Sequence, residues 1–230
     1  MTLLEIDHVS FTYPDGDGYR TILNQVNLTF DPGTFYAIVG ASGSGKTTFL
    51  TLIAGMDQVH EGAIRYNGQT LEKIGLWNYR RQHVGMVFQN FNLIPYMTGL
   101  ENVLVAMGIA KSGNKASALK LLETLGIGPT KAKRSVRRLS GGEQQRVAIA
   151  RALANNPDII IADEPSGNLD GATETAIIGL FKQLAHEQGK CVIVVTHSEK
   201  VAANADIILR LHPSEGTFDT EIRNKKNDLQ

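Results

Sequence analysis

Three clusters of polar residues carry the chemistry this chain could do. The first is Gly40-Ala41-Ser42-Gly43-Ser44-Gly45-Lys46-Thr47, which fits the pattern G-x-x-x-x-G-K-[ST]. Glycines let such a loop curl until successive N–H groups point inward, and the helix N-terminus that follows adds partial positive charge. In that cradle Lys46 is expected to reach the β- and γ-phosphates of a nucleotide, with Thr48 continuing the cradle and the Thr47 hydroxyl on Mg²⁺. The second cluster is the pair Asp163-Glu164 at the end of the apolar run Ile159-Ile160-Ile161-Ala162. A strand beside a phosphate loop delivers its last residue next to the metal, which suits Asp163. Glu164 then lies near the γ-phosphate, where a carboxylate orients or deprotonates water. Alone, this pair would read as helix-capping acids at a strand end; the phosphate loop tips the reading to catalysis.

The third cluster is Leu139-Ser140-Gly141-Gly142-Glu143-Gln144-Gln145-Arg146. A serine and two glycines at a helix start make a second anion-binding N-terminus. The chain thus has two phosphate-binding elements and one complete nucleotide cradle. Two copies facing head to tail resolve this, each donating Ser140 and Gly142, with Gly141 between them, to the other's nucleotide.

The elements that must position these residues follow from the apolar pattern. The run from Thr34 to Val39 is a short buried strand, and Phe49, Leu50, Leu52 and Ile53 suit a helix packed on a sheet. Residues 4–13 and 22–30 read as strands joined by a turn-rich tip, and Asn67-Gly68 after residues 63–66 signals a hairpin. Val84 to Phe88 is another buried strand, ending at Gln89. From about 90 to 156 the pattern is helical, with capping boxes at Thr98/Glu101 and Ser140/Glu143 and a helix over about 114–125 that stops at Gly126. A strand at 158–162 leads to a helix capped by Asp170 and ending at Gly189. Strands at 191–196 and 206–211 complete an α/β core. The polar tail from Pro213 shows no periodicity and is expected to be loosely ordered.

At 230 residues, with 23 Lys+Arg against 23 Asp+Glu, the chain has a full core and no charge imbalance that would favour nucleic acid or lipid headgroups. Cys191 is the sole cysteine and lies in an apolar run, so neither a disulfide framework nor a cysteine metal cluster is expected. The N-terminus lacks signal-peptide character and no apolar run approaches 18 residues. The expected location is the cytosol, or a membrane to which something else holds it.

Residues 40–47, 139–146 and 159–164 together resemble the ATP-binding subunit of an ATP-binding-cassette (ABC) transporter, over residues 3 to about 211. The resemblance implies an α/β P-loop NTPase cassette with an antiparallel β subdomain. A helical subdomain would be inserted at about 90–156, all in one ATP-binding domain over 1–230. It implies ATP and Mg²⁺ as cofactors, hydrolysis as a head-to-tail dimer, an integral membrane permease as partner, no nucleic acid, and a place at the cytoplasmic face of the membrane. Tyr13 falls where the family stacks an aromatic on adenine, with Phe11 the competing candidate. Gln89 matches the glutamine that contacts Mg²⁺ and senses the membrane subunit. His197 matches the histidine at the γ-phosphate, and residues 166–170 match the loop through which the two copies communicate. Residues 88–95, 100–103 and 162–170 look like the lipoprotein-release and macrolide-export group. Three departures stand out: Ser166 where threonine is usual, Ser198 where aspartate is usual after the histidine, and Arg137-Arg138 ahead of the signature. The alternatives are a soluble ABC ATPase acting on ribosomes or DNA, and a small-molecule kinase sharing only the phosphate loop. The kinase gives no account of residues 139–146.

Overall fold

A strand covered on both faces reads as an apolar run without alternation, and four such runs form the centre of the molecule. The computed structural model describes residues 2–16, 18–167 and 170–223. In its first part the elements are β1 (Leu4–Asp15), β2 (Gly18–Phe30), β3 (Phe35–Val39), α1 (Lys46–Ile53), β4 (Glu61–Tyr66), β5 (Gln69–Thr70), α2 (Leu71–Ile74), α3 (Leu76–His83) and β6 (Val84–Val87). Then come α4 (Gly99–Ala110), α5 (Lys115–Thr124), α6 (Pro129–Ala132), a 3-10 turn at Val136–Arg138 and α7 (Gly141–Ala152). The last part holds β7 (Ile159–Asp163), α8 (Gly171–His186), β8 (Cys191–Val195), α9 (Glu199–Asn204), β9 (Ile207–His212) and β10 (Thr217–Ile222).

The six-stranded sheet runs β10-β9-β3-β8-β7-β6, parallel except for β10 at its edge. Alternate residues of each central strand go to opposite cores. Phe35, Ala37, Ile160, Ala162, Val192 and Val194 face the helices α4, α5, α7 and α8. Tyr36, Ile38, Ile159, Ile161 and Ile193 face α1 and a second, antiparallel sheet of order β2-β1-β4-β5. Cys191 lies in this second core, where burial pushes its thiol well above the usual range and keeps it a small apolar side chain.

Local signals behave as their physics requires. Asn67 and Gly68 both take positive φ, at 47° and 78°, as a two-residue type I′ turn demands. Both expected capping boxes form, and Asp170 caps α8 through its contacts to the N–H groups of Ala172 and Thr173. The tail departs from expectation. Instead of being loosely ordered from Pro213, it carries β10, paired from Thr217 opposite His212 to Ile222 opposite Ile207, with Phe218 packed against Phe49 at 4.8 Å between ring centroids. Residues 224–230 of that tail lie outside the described residues.

Candidate functional site

In a parallel sheet all carboxyl ends share one edge, and ligands collect there. Register aligns the strands so that Ile38 pairs Val195 and Val195 pairs Asp163. One edge therefore presents the phosphate loop after β3, Gln89 after β6, Asp163 and Glu164 after β7, and His197 after β8.

The phosphate loop turns into α1 at Gly45, whose φ of 102° only glycine adopts easily. A β-carbon there would sit 2.4 Å from Ile22 Cγ2 on β2, so the glycine also lets the β1–β2 hairpin close over the loop. Gly45→Ala is expected to weaken ATP binding by at least tenfold, since both the strained φ and the clash cost on the order of 1–3 kcal/mol each. Fluorescent-nucleotide titration checks this, and wild-type affinity would show that the cradle tolerates the shift. Inside the loop, the Ser44 hydroxyl is buried without a partner, a polar atom available to a phosphate oxygen. Gly40 and Lys46 close the loop on itself: Lys46 Nζ donates to Gly40 O at 2.9 Å and Ala41 O at 2.8 Å. Two of its three donors are thus used and one remains. Ala41, Ser42, Gly43 and Thr47 are exposed at the loop's outer face, and Thr48 is half-buried behind them.

Charge is concentrated behind the loop. Burial lowers the Lys46 ammonium from its ordinary value, and the negative Glu164 and Asp163 pull it back up. Burial raises the Asp163 carboxyl, and Lys46 opposes that rise. Each charge therefore makes the others' burial tolerable. Glu164 holds a φ of 46°, unusual for a residue with a side chain, with its N–H donated to Val195 O at 3.0 Å. Its carboxylate accepts the His197 N–H on Oε2 at 3.2 Å, and Oε1 stands 3.4 Å from His197 Nε2. The two residues meet across 33 positions of chain. Gln89 is exposed, its Nε2 3.8 Å from where a β-carbon on Gly167 would lie. The loop after Glu164 and the loop after Gln89 are therefore neighbours. Asn168 and Leu169 of the expected inter-copy loop lie outside the described residues.

Tyr13 and Phe11 are separated by burial. Phe11 is 6% exposed and belongs to the core, while Tyr13 is 43% exposed and meets it edge-on at 5.0 Å. Of the two, Tyr13 has a free ring face, on the hairpin whose Ile22 lies against Gly45.

The Ser140 cluster is not brought to this edge. Ser140 is exposed, its hydroxyl accepting the Glu143 N–H at 3.3 Å while Glu143 accepts the Ser140 N–H at 3.0 Å and pairs with Lys131 at 2.7 Å. The bond to Lys131 and the Ser140 N–H hold the Glu143 carboxyl below its ordinary value. Gly142 abuts Thr173 of α8. Among the described residues no hydrogen bond or ion pair joins 139–146 to 40–47. Helix α7 packs on β6, α4 and α5, whereas α1 packs on β7 and β8.

Two residues that sequence reasoning passed over act on the site's loops. Arg151, on α7, donates to the carbonyls of Phe91 and Asn92, at 2.9 Å for Phe91. Those two residues have φ of 60° and 48°, so a guanidinium, its pKa lowered by burial, pins a strained turn two residues after Gln89. Glu174 joins Ser166 to Ser198. No local pattern marks either residue, because Arg151 meets its partners about sixty residues away and Glu174 joins one residue eight positions before it to another 24 positions after it.

For a divalent cation, the donor set of Thr47 hydroxyl, Gln89 amide oxygen and Asp163 carboxylate is all oxygen, which is what Mg²⁺ takes. Among the described residues no group of three or more His, Cys, Asp or Glu could hold a metal by itself. Mg²⁺ held by these three oxygens would complete its shell with phosphate and water.

The ABC transporter family model matches residues 23–167. The ABC transporter ATP-binding protein YclH of Bacillus subtilis is 48% identical over 221 residues, covering 95% of this chain and 96% of that protein. The macrolide export ATP-binding/permease protein MacB of Rhodopirellula baltica is 40% identical over 225 residues, and the chain spans only 32% of its length. Among solved structures, the dimeric structure of MJ0796, described as a bacterial ABC transporter cassette, superposes with a TM-score of 0.87 at 39% identity, covering 96% of this chain and all of that one. A post-hydrolysis dimer of MJ0796 bound to ADP and Pi matches equally, with a TM-score of 0.87.

Proposed function

The chain belongs to the ABC transporter family as an ATP-binding and ATP-hydrolysing cassette, and from that premise we propose that it works as a head-to-tail dimer driving a membrane permease. The observation that carries this is the separation of its two anion-binding helix starts: α1 opens at the sheet edge with Asp163 and Glu164, while the exposed start of α7 has no bond to its own phosphate loop. A second copy turned end for end presents Ser140, Gly141 and Gly142 to that loop. The dimeric MJ0796 structures support a dimer as the working form.

Within each site, Lys46 and the N–H groups of residues 40–47 hold the nucleotide phosphates, and Tyr13 stacks on the base. Thr47, Gln89 and Asp163 would hold Mg²⁺, which when bound neutralises phosphate charge. Glu164 accepts a proton from the attacking water or orients it, with its carboxylate fixed by His197 N–H. His197 reaches the γ-phosphate. Residues from about 90 to 156 act as a helical subdomain inserted between β6 and β7.

The MacB relatives carry ATP-binding and permease functions in one name and run about three times the length of this chain. This supports a membrane permease as partner and a place at the cytoplasmic face of the membrane. Among the described residues no helix is long and apolar enough to cross a bilayer. A shallow groove of about 280 Å³, lined by Arg81, Met86, Phe88, Asn92, Ile109 and Arg151 among others, adjoins Gln89 and suits a short helix of the permease. Ile109 is 58% exposed and Tyr96 81%, whereas Leu93 packs inward on the helical core. Tyr96 lies outside the groove's lining, on the same segment. The transporter names of the matched relatives favour this reading over a soluble ATPase on ribosomes or DNA.

Ile109→Asp and Tyr96→Asp test the docking surface. Both residues are exposed, so each variant should fold and bind ATP as the wild type does. In cells each should move from the membrane fraction to the soluble fraction by at least fivefold, the expected result of burying an unpaired charge in an apolar contact. Unchanged partition for both would move the docking surface elsewhere.

A further inference from the structure

Ser166 and Ser198, on two different loops, meet on one atom. Both donate their hydroxyl hydrogen to Glu174 Oε1, Ser198 at 2.7 Å and Ser166 at 3.2 Å. Glu174 is in the first turn of α8, where its N–H is bonded to Asp170 O at 2.9 Å. Its other carboxylate oxygen stands 3.8 Å from Lys200 Nζ, and Lys200 itself donates to Gly171 O and Thr175 Oγ1. Ser166 is 7% exposed, so little water competes for its hydroxyl. Ser198 also accepts the Val201 N–H at 3.3 Å, which starts α9, and its own N–H is bonded to Thr196 Oγ1 at 2.9 Å.

These bonds close a ring. Glu164 is two residues before Ser166, and Gly167 N–H folds back to Glu164 O at 3.2 Å. His197 immediately precedes Ser198 and donates its N–H to the Glu164 carboxylate. The path therefore runs from Glu164 through His197 and Ser198 to Glu174, then through Ser166 back to Glu164. Among the described residues, the direct hydrogen bonds and ion pairs between the loop after β7 and the end of β8 with its loop are those of Glu164, and Glu174 adds a second tie.

We propose that Glu174 is a positioning residue for hydrolysis, a clamp on α8 that holds the Glu164 loop and the His197 loop in fixed relation. A carboxylate at 198 would face Glu174 across a hydrogen-bond distance, and two like charges there repel. Serine at 198 and glutamate at 174 are therefore a matched pair: α8 supplies the carboxylate, and the two loops supply the donors. Hydrogen bonds to a charged group are among the stronger ones, and a small misplacement of a catalytic group lowers rate without loss of binding.

The inference rests on the roles proposed for Glu164 and His197, and the experiment separates the two. Steady-state hydrolysis of MgATP by the full chain is measured with nucleotide affinity and thermal melting. Glu174→Ala should lower kcat about tenfold while KM for ATP changes less than about twofold. Glu174→Gln keeps an acceptor oxygen for the serines and should retain more than about half of wild-type kcat. Ser198→Asp alone should lose about tenfold or more, and adding Glu174→Ala to it should restore most of the rate, because the repulsion is gone and a carboxylate is again present. A role in stability alone predicts additive losses in the double variant, and additive losses or a Glu174→Ala chain with wild-type kcat would overturn the proposal. Glu164→Gln in the same assay marks the other failure: if that variant hydrolyses normally, the site reading falls and the clamp with it. If Glu164→Gln is inactive while Glu174→Ala is fully active, the clamp alone falls.

Discussion

Glu164→Gln is expected to bind MgATP with wild-type affinity, hydrolyse it roughly a hundred- to ten-thousand-fold more slowly, and accumulate as a dimer. The substitution keeps the shape of the side chain. The amide oxygen can still accept the His197 N–H now received by Glu164 Oε2 at 3.2 Å, so the backbone at φ 46° should hold. Lys46 keeps its bonds to Gly40 O and Ala41 O, and Asp163 is untouched. Only the capacity to take a proton is lost, together with one negative charge behind the phosphate loop. Removing that charge leaves Lys46 and Asp163 as a balanced pair, which should favour a bound polyanion. Size-exclusion chromatography with MgATP reads the dimer directly. A variant that stays monomeric at high protein concentration would count against the head-to-tail arrangement, and undiminished hydrolysis would move the base elsewhere.

Ser140→Arg should lower hydrolysis more than about a hundredfold while nucleotide affinity stays within about twofold, because Ser140 serves the other copy's nucleotide. In its own chain Ser140 caps α7 and has no bond to the phosphate loop. An arginine removes that cap, which costs about 1 kcal/mol, and a melting curve should register it. It also puts a long side chain at a surface where two copies must close. Ser140→Asn preserves the cap in a smaller side chain and should keep the melting temperature, which isolates the steric effect. Fluorescent-nucleotide titration decides the matter: affinity lost in parallel with activity would put Ser140 in its own chain's pocket.

What the sequence determined by itself is whatever depends on neighbours a few residues apart or on unbroken apolar runs. The capping boxes at Thr98/Glu101 and Ser140/Glu143 close within three residues, so no tertiary context was needed to read them. The Asn67-Gly68 turn, the phosphate loop and the central strands are of the same kind. Helix α3 was not legible, because only Tyr79 of its eight residues is buried and no stripe repeats. Strand β10 was hidden for a related reason: an edge strand is polar along most of its length, and only pairing with β9 makes it a strand.

Tertiary structure alone decided the rest. Strand β3 enters the sheet between β8 and β9, which are far from it in the chain, and that insertion sets Asp163, Glu164 and His197 around the phosphate loop. Tyr13 and Phe11 are equivalent aromatics in sequence, and burial of Phe11 in the core leaves Tyr13 as the one with a free ring face. Arg151 reaches Phe91 and Asn92 across about sixty residues, and Glu174 gathers Ser166 from the β7 loop and Ser198 from the β8 loop. Such meetings have no period and no motif, since the energy that makes them is the packing of α7 and α8 on the sheet, and that packing exists only once the whole core is assembled.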